Sequence, residues 1–542
     1  MLRKEHVHMN WNRREWIRST GLCLASTIGQ PRMSFGLEAM ETKTSQPTVQ
    51  PEIFSARAFG AHGDGVTRDT AALQAAVDAA QESGGGTVHL TAGKYLSGTL
   101  HLRSHVSLWM DGGAVLLMSP DDADFASIAV PPSVSEMRQS NEKSRALLLG
   151  NGIKQAAVYG EGEIEGNRSR RGGPKPIFLQ DCEDISIRGI TLRNAPDYNL
   201  SLFRCSRVYI GGVTILNGYA DGIDLDCCRY VRVSDCFVES VDDAICLKAS
   251  SPAGPQAKTE HIAVSNCTLR TASIALKCGT ESCGDFSAIT FSNCTLEGGM
   301  GLRHGNPGIA LYTVDGGNLE DITISNIVMR GVATPFALLL GDRDAWGLRR
   351  GPGKFAGVRI SGVIASDARF PSVIAGLPGA PIRDIQIDGV TIRMSQAPGR
   401  EEASVRAGSS AAVPEKSAHY PEPTMFGPLL AFGLYLRHLA QSQIRDLRIT
   451  ADDSIKGDAI AADDLDELIL ELVAGSGSRS VWLNNLRNSY VKAVVLVPSA
   501  GAICRFSGPH SAQISCMVSG FVRLDTQILL DSDLPPETVH RL

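Results

Sequence analysis

Two acidic runs carry the densest chemistry in this chain. They are Ala220-Asp221-Gly222-Ile223-Asp224-Leu225-Asp226 and Val241-Asp242-Asp243-Ala244-Ile245-Cys246-Leu247-Lys248, with Asp242 21 positions after Asp221. If equivalent positions of the two runs stack, Asp221 sits beside Asp242 and Asp243. Carboxylates held that close cannot all ionise together, so one keeps a proton while another stays charged. An acid and a base in one groove is what cleavage of a glycosidic bond needs: a proton for the leaving oxygen and a water activated against the sugar. Side chains of neighbours in a regular strand point to opposite faces, so Asp242 and Asp243 both reach the groove only if the chain bends there. Asp224 and Asp226 read as turn or edge residues, solvated or open to calcium.

The stacking follows from a repeat. Short β-branched alternations begin at Ile185, Val208, Val231, Ile262, Ile289, Ile322, Val358 and Ile385, spaced by 23, 23, 31, 27, 33, 36 and 27 residues. A period of two marks strands with one buried face, and the polar and glycine residues between them favour tight corners. A unit of two or three short strands cannot bury its apolar face alone, whereas stacked copies can. The expected fold is therefore all-β, a single right-handed parallel β-helix. Successive coils then lie about 4.8 Å apart, close to the separation that the acidic runs need.

The ends fit such a solenoid. Leu73, Ala76, Val77 and Ala80 recur at helical spacing over residues 70–83, with Asp69 as the expected N-cap, and one amphipathic helix suits the open end. Residues 51–394 are expected to form the β-helix region with this cap. Residues 395–425 are expected to be a long polar loop, and residues 426–542 further coils and a C-terminal cap. Residues 1–50 read as an export signal and lead-in: Asn12-Arg13-Arg14-Glu15-Trp16-Ile17 has the paired arginines of a twin-arginine signal, which implies a periplasmic or extracellular location.

Composition narrows the class. Hydrophobic residues make up 43% and charged residues 20%, and 52 Lys+Arg against 58 Asp+Glu give a net charge of −6. That lacks the basic excess of a nucleic-acid binder, and no apolar run is long enough for a membrane span. The 13 cysteines are scattered without a paired zinc pattern. Cys236, Cys267 and Cys294 each follow a short polar residue and read as small buried hydrophobes in a ladder.

With these residues in view, the chain resembles glycoside hydrolase family 28, the polygalacturonases and rhamnogalacturonan hydrolases. The likeness lies in Asp221-Gly-Ile-Asp224 followed one coil later by Asp242-Asp-Ala-Ile-Cys-Leu-Lys248. The opening Phe59-Gly-Ala-His-Gly-Asp64-Gly-Val-Thr-Arg-Asp69-Thr is similar to the start of many pectin-degrading β-helix enzymes. The resemblance implies an inverting hydrolase in which Asp242 matches the general acid and Asp221 and Asp243 the pair that holds and activates water. Lys248 matches the lysine closing the second motif, a substrate or structural contact.

Two departures stand out. Ser273-Ile-Ala-Leu-Lys277-Cys-Gly-Thr280 lacks the family's histidine, and Gly308-Ile-Ala-Leu-Tyr312 has alanine and tyrosine where its cations would grip galacturonate. The standard uronate grip is absent, which argues against plain endo-polygalacturonase activity, and Lys277, Arg303 and His304 are the candidate replacements. The expected activity is hydrolysis of pectic or related plant cell-wall polysaccharide or oligosaccharide by a monomer, with no metal or other cofactor. Two alternatives remain at this level. A polysaccharide lyase would use calcium and a basic residue, and a carbohydrate-binding solenoid would bind without turnover.

Overall fold

A computed structural model of the chain describes residues 52–542 except 131–143, 252–256, 299–305, 346, 349, 396–412, 430, 453–454, 456, 475–480, 496–502, 521–527 and 533. The twin-arginine stretch lies outside the described residues, as do Arg303 and His304.

The alternating segments become strands of one parallel β-helix, each paired with its equivalents one coil before and after. Ile185, Val208, Val231, Ile262, Ile289, Ile322, Val358 and Ile385 fall into a single register. Each is buried, and so is the apolar residue two positions on. This is the period-two logic carried into space: one face of every strand lines the lumen, and each coil covers the apolar face of the next. Three strand stacks make the walls. The first contains Glu183–Arg188, Ser206–Gly211 and Arg229–Ser234. The second contains Thr191–Arg193, Thr214–Gly218 and Phe237–Ser240. The third contains Leu200–Phe203, Ile223–Asp226, Ile245–Ala249, Leu276–Ser282, Pro307–Thr313 and Thr334–Leu340. Ala431–Ala451 pairs with both Ser372–Ala375 and Ile382–Met394, so winding continues on the same stacks.

One corner shows how the chain turns. Asp235, Asn266, Asn293 and Asn326 hold φ between 55° and 59°, a left-handed conformation that short polar side chains tolerate better than other L-residues. Their side chains form a ladder, Asn266 to Asp235 at 3.2 Å, Asn293 to Asn266 at 3.4 Å and Asn326 to Asn293 at 3.1 Å. The following Cys236, Cys267 and Cys294 turn inward, and each thiol donates to the carbonyl of Ser234, Ser265 or Ser292. All twelve described cysteines are buried and unpaired.

The capping helix runs Thr70–Glu82 and buries Leu73, Ala76, Val77 and Ala80 over the first coils. Burying Leu73 and Val77 contributes about 1.5–3 kcal/mol each. Asp69 occupies the N-cap position, but its side chain does not cap the helix. It accepts instead from the backbone amides of His62 and Gly63 at 2.7 and 2.9 Å, tying down the preceding loop. No helix among the described residues is long and apolar enough to cross a membrane.

Candidate active site

The site lies on the outer face of the third stack. In Ile223–Asp226 and Ile245–Ala249 the lumen takes Ile223, Leu225, Ile245 and Leu247, so Asp224, Asp226, Cys246 and Lys248 face outward. The register Ile223↔Ile245 places Asp221 in line with Asp243, and the Gly222 amide donates to the Asp243 carbonyl at 2.8 Å. Both acidic turns break the strand pattern: residues 219–222 and 241–244 lie between strands. Ser240 Oγ donates to the Asp242 carbonyl at 2.8 Å and helps fix the second bend. The result is that one oxygen from each of Asp221, Asp242 and Asp243 lies within 4.8 Å of the others.

The three carboxyls differ in surroundings. Asp221 is 4% exposed and accepts from Lys248 Nζ at 3.1 Å. That ammonium is also paired with Asp224 and donates to Tyr198 Oη at 3.2 Å. One cation is thus shared by two buried carboxylates. Burial pushes the Asp221 carboxyl well above the usual range; Lys248 opposes this, and the charges of Asp243, Asp242 and Asp224 reinforce it. Asp243 is 5% exposed and committed to three donors: Lys277 Nζ at 2.7 Å, Ser273 Oγ at 2.7 Å and the Ile274 amide at 3.2 Å. Asp242 is 31% exposed, the most open of the three, and pairs with Arg171 at 2.6 Å. Burial alone would raise its pKa, but the Arg171 guanidinium, with Lys277 and Lys248, outweighs burial and holds the carboxyl below its ordinary value.

Lys248 and Lys277 therefore stand behind the carboxylates as buried ion-pair partners, about 6% and 5% exposed. Burial works against both charges, and the neighbouring carboxylates outweigh it and hold the ammoniums protonated. The three oxygens satisfy the spacing of a cation site, yet these two ammoniums already bring the positive charge that a divalent ion would supply. Asp226 is neither solvated nor free: Ser250 donates to it through amide and hydroxyl, and burial pushes its pKa up to about 6.

Two segments roof this face. Residues 125–130 lay Ala126, Ile128 and Val130 on Leu149, Phe178 and Phe203. On the other side residues 413–429 lay Val413, Phe426 and Leu429 over Ile274, Ala310, Tyr312, Ala337 and Leu339. This explains the missing cations: Ala310 stands in register with Lys277, and a charge at Ala310 or Tyr312 would be buried under an apolar strap. Tyr420, on that strap, brings Oη to 3.5 Å from Lys277 Nζ. Arg343, held by Asp315 at 2.9 Å, is a further buried cation near Glu281 and Tyr420. Arg171, Tyr198, Arg343 and Tyr420 escape the sequence reading, because they reach the site from loops whose return path no periodicity encodes; Glu281 lies on the strand Leu276–Ser282 but outside the two acidic runs.

The chain resembles several known proteins. Residues 133–395 match the family model of the glycosyl hydrolases family 28. A protein named probable polygalacturonase from Vitis vinifera is 27% identical over 69% of this chain and 80% of its own length. The family 28 exopolygalacturonase of Yersinia enterocolitica superposes with a TM-score of 0.57 at 18% identity, covering 77% of this chain and 78% of that one. The hyperthermoactive exopolygalacturonase from Thermotoga maritima gives 0.54 at 18% identity, covering 64% and 88%. At that identity the two structures establish the parallel β-helix fold.

Proposed function

Taking the chain as the glycoside hydrolase that its family 28 region makes it, we propose that it cleaves glycosidic bonds in pectic or related plant polysaccharide with inversion. In this reading Asp242 protonates the leaving oxygen, and Asp221 and Asp243 hold the attacking water, whose proton passes to the ionised member of the pair. The observation that carries it is the asymmetry of the trio: three carboxyls share one cluster, and the most exposed, Asp242, is the one a leaving oxygen can reach. Asp221 and Asp243, fixed by Lys248 and Lys277, form a rigid cradle for water.

A second reading rests on distance. Oxygens within 4.8 Å match the roughly 5–5.5 Å carboxyl spacing of retaining enzymes better than the roughly 6.5–9.5 Å of inverting ones. There Asp243 would be the nucleophile. Against that role, Asp243 already accepts three hydrogen bonds, which stabilise a carboxylate and blunt its attack.

The roofs favour cleavage from chain ends. Segments 125–130 and 413–429 cover the outer face on both sides of the trio, so a chain terminus enters more readily than a chain interior. A screen of pectic oligosaccharides with the parent and Asp242→Asn tests the assignment. The expected result is hydrolysis by the parent and a loss of about 10²–10⁴-fold in kcat for the variant, the worth of a positioned acid. Equal activity in both would remove Asp242 from the mechanism.

A further inference from the structure

The trio as it stands is poised the wrong way for catalysis. Asp242, the proposed acid, is tied to a guanidinium, and an acid must carry its proton when the leaving group departs. The groups that face Asp242 are Arg171, Lys277 and Lys248 on the positive side and Asp221 and Asp243 on the negative. Lys248 is bound to Asp221 and Asp224, Lys277 to Asp243 and Arg343 to Asp315, and all three side chains are at least nine-tenths buried. Arg171 differs: it is 53% exposed and its ion-pair partner is the acid itself. It precedes Gly172 and Gly173, both at positive φ, where the backbone can change direction without a Cβ penalty.

Resting on the proposed function, we infer that Arg171 is the specificity-determining residue that grips a carboxylate on the substrate sugar and, in leaving Asp242, lets that side chain take up its catalytic proton. Arg171 thus supplies the grip that the apolar strap denies to positions 310 and 312. The exchange balances in charge. Before binding, guanidinium and Asp242 carboxylate form one neutral pair. Afterwards guanidinium and substrate carboxylate form another, and Asp242 has gained one proton from solvent. The planar guanidinium suits both partners, because each offers the same two-oxygen fork. A neutral sugar leaves the Arg171–Asp242 pair in place and finds the acid unprotonated, so recognition and activation are one event.

Calorimetric titration of the full chain near neutral pH, in buffers of different ionisation heat, tests this with D-galacturonic acid and methyl galactoside as probes. The parent is expected to take up close to one proton per galacturonate bound and none with methyl galactoside. Arg171→Gln is expected to bind galacturonate roughly 10–100-fold more weakly, the worth of one charged contact, and without proton uptake. Arg171→Lys is expected to recover part of both. No galacturonate binding by the parent, binding without uptake, or an Arg171→Gln variant that binds as the parent does would overturn the inference. The two proposals fail separately. A parent that hydrolyses nothing yet shows this binding pattern refutes only the hydrolase mechanism. Hydrolysis that ignores Arg171→Gln refutes only the exchange.

Discussion

Replacing Lys248 by methionine tests whether the carboxylate cluster is held together by buried cations. The ammonium is about 6% exposed and serves Asp221, Asp224 and Tyr198 at once. Methionine keeps most of the side-chain volume, so the loss is electrostatic and not a cavity. Removing one partner of a buried pair costs about 3–5 kcal/mol, because the remaining charge is stranded. The variant is expected to lose that much at about pH 7 in urea unfolding followed by tryptophan fluorescence. The sign with pH follows from Asp221. Burial already raises its carboxyl, and Lys248 is the group that opposes burial; without it the folded-state pKa rises further. A carboxyl whose folded pKa lies above the unfolded value makes the folded state bind the extra proton, so stability rises as pH falls through that folded pKa. The defect should therefore be smaller at lower pH, once the pH has fallen through that folded value. Adding Asp224→Asn should recover part of it by removing one stranded charge. A Lys248→Met variant within about 1 kcal/mol of the parent at about pH 7 would refute this account of the site.

Further outcomes follow from other contacts. Phe426→Ala, which removes a ring from the apolar cluster that the strap shares with Tyr312 and Leu339, should loosen residues 413–429 by up to about 3–5 kcal/mol. Chromatography of digests should then show longer products from internal cleavage. His438 sits between Asp464 at 2.7 Å and Glu415 at 3.1 Å, with Arg437 beside it. Burial lowers its pKa, but the two carboxylates outweigh burial and raise it above 6.5. Its fastening of the strap is thus fully present below the unfolded value and lost as pH rises through the folded one. Limited proteolysis within 413–429 should speed up over that rise in the parent and be pH-independent in His438→Gln. At the corner ladder, Asn293→Ala should cost about 1 kcal/mol in urea unfolding and Asn293→Gly less, since the backbone there is left-handed.

The fold was legible because its signal is repetitive. Eight alternations point to one lumen, and each is corroborated by its neighbours, so a single ambiguous segment such as Ile262-Ala-Val264 gains its assignment from the stack. The juxtaposition of Asp221 with Asp242 and Asp243 was legible for the same reason: coil length fixes register. The identity of their partners was not. Arg171 and Tyr420 come from excursions whose geometry is set by tertiary packing, and Lys277 looks like a free substrate cation until its burial against Asp243 is seen. Asp69 teaches a similar point, since helix position marks it as a cap while its carboxylate serves the loop before it.

The central claim is that Asp242 donates a proton while Asp221 and Asp243 deliver water in a single displacement. Time-resolved proton NMR of the first product released from a pectic oligosaccharide reads this directly. The account predicts that the anomeric configuration is opposite to that of the substrate before mutarotation sets in. A first product that keeps the substrate's configuration would contradict it and place a covalent intermediate on Asp243.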